Sequence, residues 1–186
     1  MKSLNPKKIF KKGKVELNHL TTIFFDVDGV FTDGGLYMSD DRVNLTKFNV
    51  HDGMGCILLK ETGIKLIILT ARHSKAVIRR FKDLGIKEIF TKVLKKQEFI
   101  REYAKSQKLK KNQIAMMGDD LQDLAAINEV GIFFTTPNAV NCVKESAHYI
   151  TDRFGGDGAV REICDLIICS KGLTPRLAFD SFLKTK

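Results

Sequence analysis

The chain has 186 residues, of which 44% are hydrophobic and 28% are charged, a composition typical of a globular domain with a sizeable core. The net charge of +9 comes from the ends, because residues 1–14 carry six lysines and no acid, and residues 171–186 carry four bases and one acid. The neutral stretch between them argues against a nucleic-acid-binding body, and no apolar run approaches the roughly 18 residues of a membrane span. The four cysteines form no CxxC pair, which favours reduced thiols and a cytoplasmic location.

Short apolar runs alternate with segments whose apolar residues recur at helical spacing. The runs that predict buried strands cover residues 21–26, 65–69, 86–90, 114–117 and 131–134. The segments that predict helices cover residues 74–84, 95–106 and 121–130. Strands that alternate with helices of about ten residues are typical of βαβ units. The predicted fold is therefore α/β, a doubly wound, Rossmann-like parallel sheet with helices on both faces.

One segment interrupts this alternation and is predicted to form a β-hairpin. It covers residues 36–50, with strand-like runs at 36–38 and 43–50 around a Ser-Asp-Asp-Arg turn. A Gly-Gly pair before it and an Asp-Gly pair after it are typical turn residues. We expect a basic extension over residues 1–15, one domain over 16–172, and a helical or partly ordered tail over 173–186.

Acidic side chains and a hydroxyl follow the predicted strands. Asp26 and Asp28 follow the first strand, Thr70 follows the second, and Asp119 and Asp120 follow the fourth. Because the carboxyl ends of parallel strands meet at one edge of a sheet, we expect these side chains to converge. Converging carboxylates need a hard cation to neutralise them, and oxygen-only ligands favour Mg²⁺. With the lysines at 92, 95 and 96 after the third strand, the set predicts a phosphoryl-binding site.

Each of these features also has an ordinary structural interpretation. Acids cap helices and occupy turns, Thr70 suits a helix N-cap, and a lysine in a cluster is usually solvated. A receiver-like switch domain, which accepts a phosphoryl group on Asp, would also gather acids, threonine and lysine around Mg²⁺. It is the combination at successive strand ends that favours a site for phosphoryl chemistry.

The motifs that carry these residues resemble those of phosphatases of the haloacid dehalogenase superfamily. DVDGVFTDG at 26–34 matches their DxDGxxTDG opening, ILTAR at 68–72 is similar to their threonine motif, and GDDLQD at 118–123 matches GDDxxD. Lys96 takes the position of their motif lysine. FNVHDGMG at 48–55 and GGDGAVRE at 155–162 resemble stretches of the 3-deoxy-D-manno-octulosonate 8-phosphate (KDO 8-phosphate) phosphatases.

The resemblance implies a Mg²⁺-dependent phosphomonoesterase that hydrolyses KDO 8-phosphate in lipopolysaccharide biosynthesis. It implies that Asp26 attacks phosphorus and forms an aspartyl-phosphate, while Asp28 acts as general acid and then general base. The implied metal ligands are Asp26, the backbone carbonyl of Asp28, and Asp119, with Asp120 holding a water at the ion. An acid–base at Asp28 suits turnover, whereas a receiver-like switch must preserve its phospho-aspartate.

The same resemblance implies the phosphate-binding residues. Thr70 would donate a hydrogen bond to a phosphoryl oxygen, and Gly29 would leave space for the phosphate. Lys96 would offset charge that develops in the transition state, with Asp123 orienting it. The neighbouring lysines at 92 and 95 remain alternatives for this role.

The sequence leaves two sugar acids open as the substrate. The residues expected to contact it are His51, Arg72 and Arg161. The octulosonate phosphatases usually have Arg at the position of His51, and often a basic residue at that of Asp157. A nonulosonate 9-phosphate, a nine-carbon sugar-acid phosphate, is therefore the alternative substrate.

The spacing of the motifs leaves no room for a cap domain. Only 43 residues separate Asp26 from Thr70, and 25 separate Thr70 from Lys96. A site without a cap is open to water, so another element must enclose the substrate. The resemblance implies a homotetramer in which the hairpins assemble and a neighbouring subunit covers the site. The expected partners are therefore a small sugar-acid phosphate and further copies of the chain, with no nucleic acid or membrane.

Overall fold

A computed structural model describes residues 16–40 and 44–184 of the chain. Its strands are β1 (Thr22–Phe25), β2 (Tyr37–Met38), β3 (Asn44–Leu45), β4 (Lys65–Leu69), β5 (Glu88–Phe90), β6 (Ile114–Met117), β7 (Ile132–Thr135) and β8 (Tyr149–Ile150). Its α-helices are α1 (Val50–Glu61), α2 (Lys75–Asp83), α3 (Lys96–Ser106), α4 (Leu121–Leu124), α5 (Asn141–Ser146), α6 (Ala159–Ser170) and α7 (Pro175–Lys184). Short 3₁₀ turns cover Leu17–His19, Lys111–Gln113 and Ile127–Glu129.

Six of the strands form one parallel sheet in the order β5-β4-β1-β6-β7-β8. The chain moves outward from β1 in one direction to β5 and then in the other to β8, so the predicted doubly wound sheet is confirmed. Phe25 at the end of β1 pairs with Ile68 on β4 and with Met117 on β6. This register places the three segments that follow these strands side by side.

The sheet is covered on both faces because its strands alternate between two apolar cores. On β1, Phe25 enters a core shared with α1, α2, α6 and α7, whereas Phe24 enters a core shared with α3 and α5. On β4, Ile68 lies in the first of these cores and Ile67 in the second. Strands that are apolar on both sides are typical of a parallel sheet between helix layers.

The predicted hairpin is present but shorter than the sequence indicated. Strands β2 and β3 pair antiparallel, and residues 41–43 of the predicted hairpin lie outside the described residues. The prediction of a strand as far as residue 50 is wrong. Val50 begins α1, because the Asn49 side chain caps that helix by accepting a hydrogen bond from the backbone N–H of His51 (2.8 Å).

One predicted helix is shorter than expected, whereas the predicted tail is largely helical. The helix predicted over residues 121–130 is wrong beyond Leu124, where α4 gives way to the 3₁₀ turn before the chain returns to the sheet at Gly131. Most of the predicted tail is helical, as α7, which packs against α1 and buries Ala178. The predicted extension over 1–15 lies outside the described residues.

The segment from 71 to 95, which is described throughout, contains only α2 and β5. This content is consistent with the expectation that no cap domain is inserted there. In the described ranges, no helix has the length and apolarity that a membrane crossing requires.

Candidate active site

The side chains predicted to converge do meet at the carboxyl edge of the sheet. They surround an open cavity of about 290 Å³. Its lining includes Asp26, Asp28, Gly29, Thr70, Arg72, Lys96, Asp119, Asp120 and Asp123. Nine of the predicted site residues are therefore brought together by β1, β4 and β6 and the first turns of α3 and α4.

Lys96 lies between two carboxylates in the buried part of this cavity. Its Nζ donates to Asp26 Oδ1 at 2.6 Å and to Asp123 Oδ1 at 2.5 Å, and its side chain is only 2% exposed. Neither alternative lysine has this position, since Lys95 is exposed and pairs with Glu98 on α3, and Lys92 is exposed in the preceding loop. Of the three lysines, Lys96 is thus the one whose Nζ contacts the predicted carboxylates.

Both carboxylate oxygens of Asp123 accept hydrogen bonds from neighbouring residues. While Oδ1 accepts from Lys96, Oδ2 accepts from the backbone N–H groups of Asp119 (3.0 Å) and Asp120 (3.2 Å). Gly118 leaves room for it, because a Cβ there would overlap the Asp123 side chain. Asp123 therefore fixes both the lysine and the loop after β6.

Burial and neighbouring charges shift the pKa values of the ionisable side chains in this cluster. Desolvation, and next the charge of Asp123, raises the pKa of Asp26 above its ordinary range, although Lys96 acts in the opposite direction. Desolvation together with Asp123 and Asp120 raises the pKa of Asp119 to about 7. Desolvation alone would lower the pKa of Lys96, but Asp26 and Asp123 raise it, so the lysine stays cationic.

The donor set fits a hard divalent cation. Carboxylate oxygens of Asp26, Asp119 and Asp123 lie within 4.8 Å of one another, and all are hard oxygen donors of the kind that Mg²⁺ prefers. A single ammonium group cannot neutralise two buried carboxylates and the half-buried Asp119, so a further positive charge is needed to keep Asp26 and Asp119 ionised. Because both oxygens of Asp123 already accept hydrogen bonds, Asp26 and Asp119 are the better ligands of the three.

Asp120 has a different local role from its neighbour Asp119. Its carboxylate accepts from the backbone N–H of Leu121 at 2.7 Å and caps α4. It still lines the acidic cavity. A glycine is required opposite Asp119, since a Cβ on Gly29 would overlap the Asp119 carboxylate, and Gly29 has a φ of +75°.

Asp28, Thr70 and Arg72 lie where the acidic cavity opens. Arg72 Nη1 donates to Asp28 Oδ1 at 3.2 Å, and both side chains are partly exposed. The Thr70 hydroxyl accepts from the backbone N–H of Arg72 at 3.2 Å, which leaves its own proton to donate elsewhere. Thr70 is almost fully buried, at 3% exposure.

A second cavity, of about 540 Å³, adjoins the first and shares Asp28, Thr70 and Arg72 with it. One wall comes from the apolar side chains of the hairpin. The other comes from the loop before α2 and its first turn, including His73 and Lys75. A molecule in this cavity would have apolar contacts on one side and cationic groups on the other.

Two of the predicted substrate contacts line neither cavity. His51 is exposed in the first turn of α1. Arg161 Nε donates to Asp165 at 2.8 Å, one turn along α6. Asp157, the other position that departs from the octulosonate phosphatases, is exposed.

The long FNVHDGMG and GGDGAVRE stretches meet each other behind the site. The fully buried Asp52 accepts hydrogen bonds from the backbone N–H groups of Arg161 (2.8 Å) and Gly158 (3.3 Å), and so caps α6 from α1. A Cβ on Gly155 would overlap the carbonyl oxygen of Gly29. The second stretch therefore packs closely on the loop after β1, and Asp52 ties its helix to α1.

Sequence reasoning missed the segment after β7. Thr135 Oγ1 donates to the Gly118 carbonyl at 2.6 Å, and Thr136 and Asn138 both donate to the Gly29 carbonyl. The available signal was its position, because TTPN at 135–138 follows a buried strand at the same edge of the sheet as the acids.

Comparison with known proteins places this arrangement in context. Residues 86–163 match the model of a haloacid dehalogenase-like hydrolase family. The chain is 34% identical to the 3-deoxy-D-manno-octulosonate 8-phosphate phosphatase of Haemophilus influenzae over 84% of this chain and 87% of that protein. It is 35% identical to the phosphatase of the same name from Yersinia pestis, over 82% of each chain.

A solved structure has the same fold over nearly the whole chain. It is the 3-deoxy-D-manno-octulosonate 8-phosphate phosphatase of Moraxella catarrhalis in complex with a magnesium ion, a phosphate ion and KDO. The TM-score is 0.82 at 35% identity, and the match covers 91% of this chain and 95% of that one.

Proposed function

Because the chain belongs to the haloacid dehalogenase-like hydrolases, in the family of 3-deoxy-D-manno-octulosonate 8-phosphate phosphatases, we propose that it hydrolyses KDO 8-phosphate to KDO and phosphate. The reaction supplies KDO for lipopolysaccharide biosynthesis and requires Mg²⁺. The observation that carries this proposal is the buried Asp26–Lys96–Asp123 cluster, with Asp119 beside it and Asp28 at the opening of the cavity.

Asp26 is the nucleophile in this proposal. It is 7% exposed, and burial disfavours its ionised form, so a cationic neighbour must keep it reactive. Lys96, at 2.6 Å, supplies part of that charge and later balances charge on the transferred phosphoryl group. Attack on phosphorus forms an aspartyl-phosphate and breaks the bond to the sugar oxygen.

Asp28 transfers the proton in both half-reactions. It protonates the departing sugar oxygen, and then accepts a proton from the water that hydrolyses the aspartyl-phosphate. Its position at the junction of the two cavities supports this role, since the phosphoryl group and the leaving group are proposed to occupy one cavity each. Arg72, at 3.2 Å, holds the carboxylate in that direction.

Asp26, Asp119 and the backbone carbonyl of Asp28 would hold Mg²⁺, and Asp120 would accept a hydrogen bond from a water of the ion. When bound, Mg²⁺ neutralises the carboxylates and polarises the phosphoryl group. Thr70 donates its hydroxyl proton to a phosphoryl oxygen, and Gly29 keeps the space above Asp119 open. Asp123 holds Lys96 in place.

The larger cavity is the proposed site of the sugar acid. Arg72 is the predicted substrate contact that lines it, and an arginine can hold a carboxylate by two parallel hydrogen bonds. His51 and Arg161 lie outside both cavities, and we propose that His51, being exposed, contacts substrate bound to an adjacent subunit. Arg161 is bonded to Asp165 on its own helix, which supports a structural role for it in the single subunit.

We propose a homotetramer that forms through the hairpin. Its apolar side chains are strongly exposed, with Met38 at 77%, Leu45 at 67% and Leu36 at 60%. A two-stranded hairpin is marginally stable alone, so burial between subunits would stabilise it. Light scattering of the wild type and of Met38→Asp tests this, since a fully active monomer would contradict the assembly.

The cytoplasmic location and the domain division are also proposed. All four cysteines lie in the described ranges and are free thiols, which supports a reducing compartment. The phosphatase domain is proposed to span residues 16–172, with a basic extension before it and the α7 tail after it. Expression with and without residues 1–15, followed by an activity assay, tests the first boundary.

The deciding experiment measures phosphate release with Mg²⁺ from a panel of substrates. The panel holds KDO 8-phosphate, a nonulosonate 9-phosphate and neutral sugar phosphates. Highest kcat/KM on the eight-carbon acid supports the proposal. Highest kcat/KM on the nine-carbon acid would replace it by the alternative, for which the replacement of the usual Arg by His51 is the motivating observation. Equal activity on neutral sugar phosphates would contradict both.

A further inference from the structure

The loop that follows β7 bonds to both loops of the proposed active site. Thr136 Oγ1 and Asn138 Nδ2 donate to the carbonyl oxygen of Gly29, at 3.3 Å and 3.0 Å. The backbone N–H of Val140 donates to the carbonyl of Asp119 at 3.1 Å. Residues 136–140 therefore bridge the loop that carries Asp28 and the loop that carries Asp119.

The Gly29 backbone is held from its other side as well. Its N–H, which belongs to the same peptide unit as the Asp28 carbonyl, donates to Thr32 Oγ1 at 3.2 Å. Hydrogen bonds thus fix both peptide units that flank Gly29, whose φ of +75° lies in the left-handed region. The first of these units also flanks Asp28, and the second fixes the turn at Gly29 that follows it. Together they limit the directions in which the Asp28 carboxylate can point.

Asn138 connects a third loop to this arrangement. Its Oδ1 accepts from the backbone N–H of Gly155 at 2.8 Å, and the N–H of Gly156 donates to the carbonyl of Val30 at 3.0 Å. The side chain of Asn138 therefore donates to the loop that carries Asp28 and accepts from the loop of Gly155 and Gly156, which packs on the Asp28 loop. Thr136 is fully buried beside it.

From these contacts we propose that Asn138 is a positioning residue, assisted by Thr136, which aims Asp28 at the leaving-group oxygen by fixing the carbonyl of Gly29. The proposal rests on the proposed function, because it assigns Asn138 a part in the proton transfer by Asp28. It makes a prediction that differs from a general role in folding. Loss of the contact should impair reactions that need a proton on the leaving group more than reactions that do not.

The test compares two leaving groups through kcat/KM. The first substrate is an alkyl phosphate, the best sugar phosphate of the panel above, whose sugar oxygen is a poor leaving group and needs the proton from Asp28. The second is an aryl phosphate, p-nitrophenyl phosphate, whose leaving group is a stabilised phenolate. Because kcat/KM covers only the steps up to formation of the aspartyl-phosphate, the shared hydrolysis step does not enter the comparison. The ratio of the two kcat/KM values is therefore the measurement.

Four variants isolate the contact. Asn138→Ala removes both hydrogen bonds of the side chain. Thr136→Val removes one donor at constant shape, while Thr136→Ser keeps the hydroxyl. Asn128→Ala is the matched control, since Asn128 is an exposed asparagine in the 3₁₀ turn before β7.

General acid catalysis accelerates a reaction by roughly 10²–10⁴-fold. An acid that points away from the leaving-group oxygen should lose part of this acceleration. We expect Asn138→Ala to lower the alkyl-to-aryl ratio by about tenfold and Thr136→Val by about threefold. Thr136→Ser should retain most of the wild-type ratio, and Asn128→Ala all of it. Circular dichroism and the unfolding midpoint check that each variant is folded.

An equal loss on both substrates, or no loss on either, would overturn the positioning role. Such a result leaves the proposed function intact, because the wild-type enzyme would still hydrolyse the sugar-acid phosphate. If the wild type instead prefers another alkyl phosphate, the proposed substrate fails. The ratio measured with that preferred substrate then still decides whether Asn138 positions Asp28.

Discussion

Replacing Gly29 by alanine separates the geometry of the site from the stability of the chain. The new Cβ would overlap Oδ2 of Asp119, so the carboxylate would have to retreat by roughly 1 Å to reach an allowed contact. A misplacement of about 1 Å can cost about 10²-fold in rate. We therefore expect kcat/KM to fall by about 100-fold or more, and the Mg²⁺ concentration for half-maximal activity to rise.

The left-handed backbone adds a second cost, which a control variant measures separately. A non-glycine residue in this region costs roughly 1–2 kcal/mol. Gly63 has a similar φ of +81°, but a Cβ there meets nothing within 4 Å. Gly63→Ala should lose about the same free energy of unfolding as the backbone share of Gly29→Ala, with kcat/KM unchanged.

The assay is phosphate release at several Mg²⁺ concentrations, with urea unfolding of both variants in parallel. If Gly29→Ala keeps kcat/KM within about threefold of Gly63→Ala, the position of Asp119 does not control catalysis. The assignment of Asp119 as a metal ligand would then be wrong.

Four further outcomes test other parts of the site. Asp26→Asn should abolish phosphate release while circular dichroism stays unchanged, since an amide oxygen is a poor nucleophile; turnover within about tenfold of the wild type would contradict the assignment. Urea titration in EDTA should show that Lys96→Met lowers the free energy of unfolding by about 3–5 kcal/mol, because it leaves two buried carboxylates facing each other. The control Lys95→Met, at an exposed lysine, should lower it by less than about 0.5 kcal/mol. Asp52→Ala removes the cap of α6 and should cost about 1 kcal/mol, or about 2–4 °C in a thermal scan, against no change for the exposed Asp83→Ala. Removing metal with EDTA should abolish phosphate release and added Mg²⁺ should restore it; full activity in EDTA would refute the metal requirement.

Local sequence patterns were sufficient for most of the parallel sheet. The run at 65–69 and the run at 114–117 form strands with the predicted bounds, because nearly continuous apolar segments of this length are typical of parallel strands between two helix layers. The sequence was less informative where side-chain contacts decide the backbone. The second hairpin strand is present but does not reach Val50, because Asn49 caps a helix there and this contact overrides the strand propensity of Val50.

In the candidate site, too, some residues could be predicted from local sequence patterns and others could not. Asp26, Asp28, Thr70 and Asp119 were predictable because each follows a buried strand, and the ends of parallel strands must share one edge. The preference for Lys96 over the other two lysines rested on resemblance alone, and the structure adds that its Nζ lies between Asp26 and Asp123. Adjacent residues at the start of a helix point in different directions, so sequence proximity alone could not make that choice.

The sequence by itself therefore determined the α/β fold, the acidic edge and the class of chemistry, since these depend on periodicity and on residues next to strand ends. Only the tertiary structure decided which distant groups touch. It brought Asn138 to the carbonyl of Gly29, 109 positions away, and placed the Nζ of Lys96 against Asp26, 70 positions away. Long-range hydrogen bonds of this kind depend on how the loops close over the sheet, and no local pattern in the chain encodes that closure.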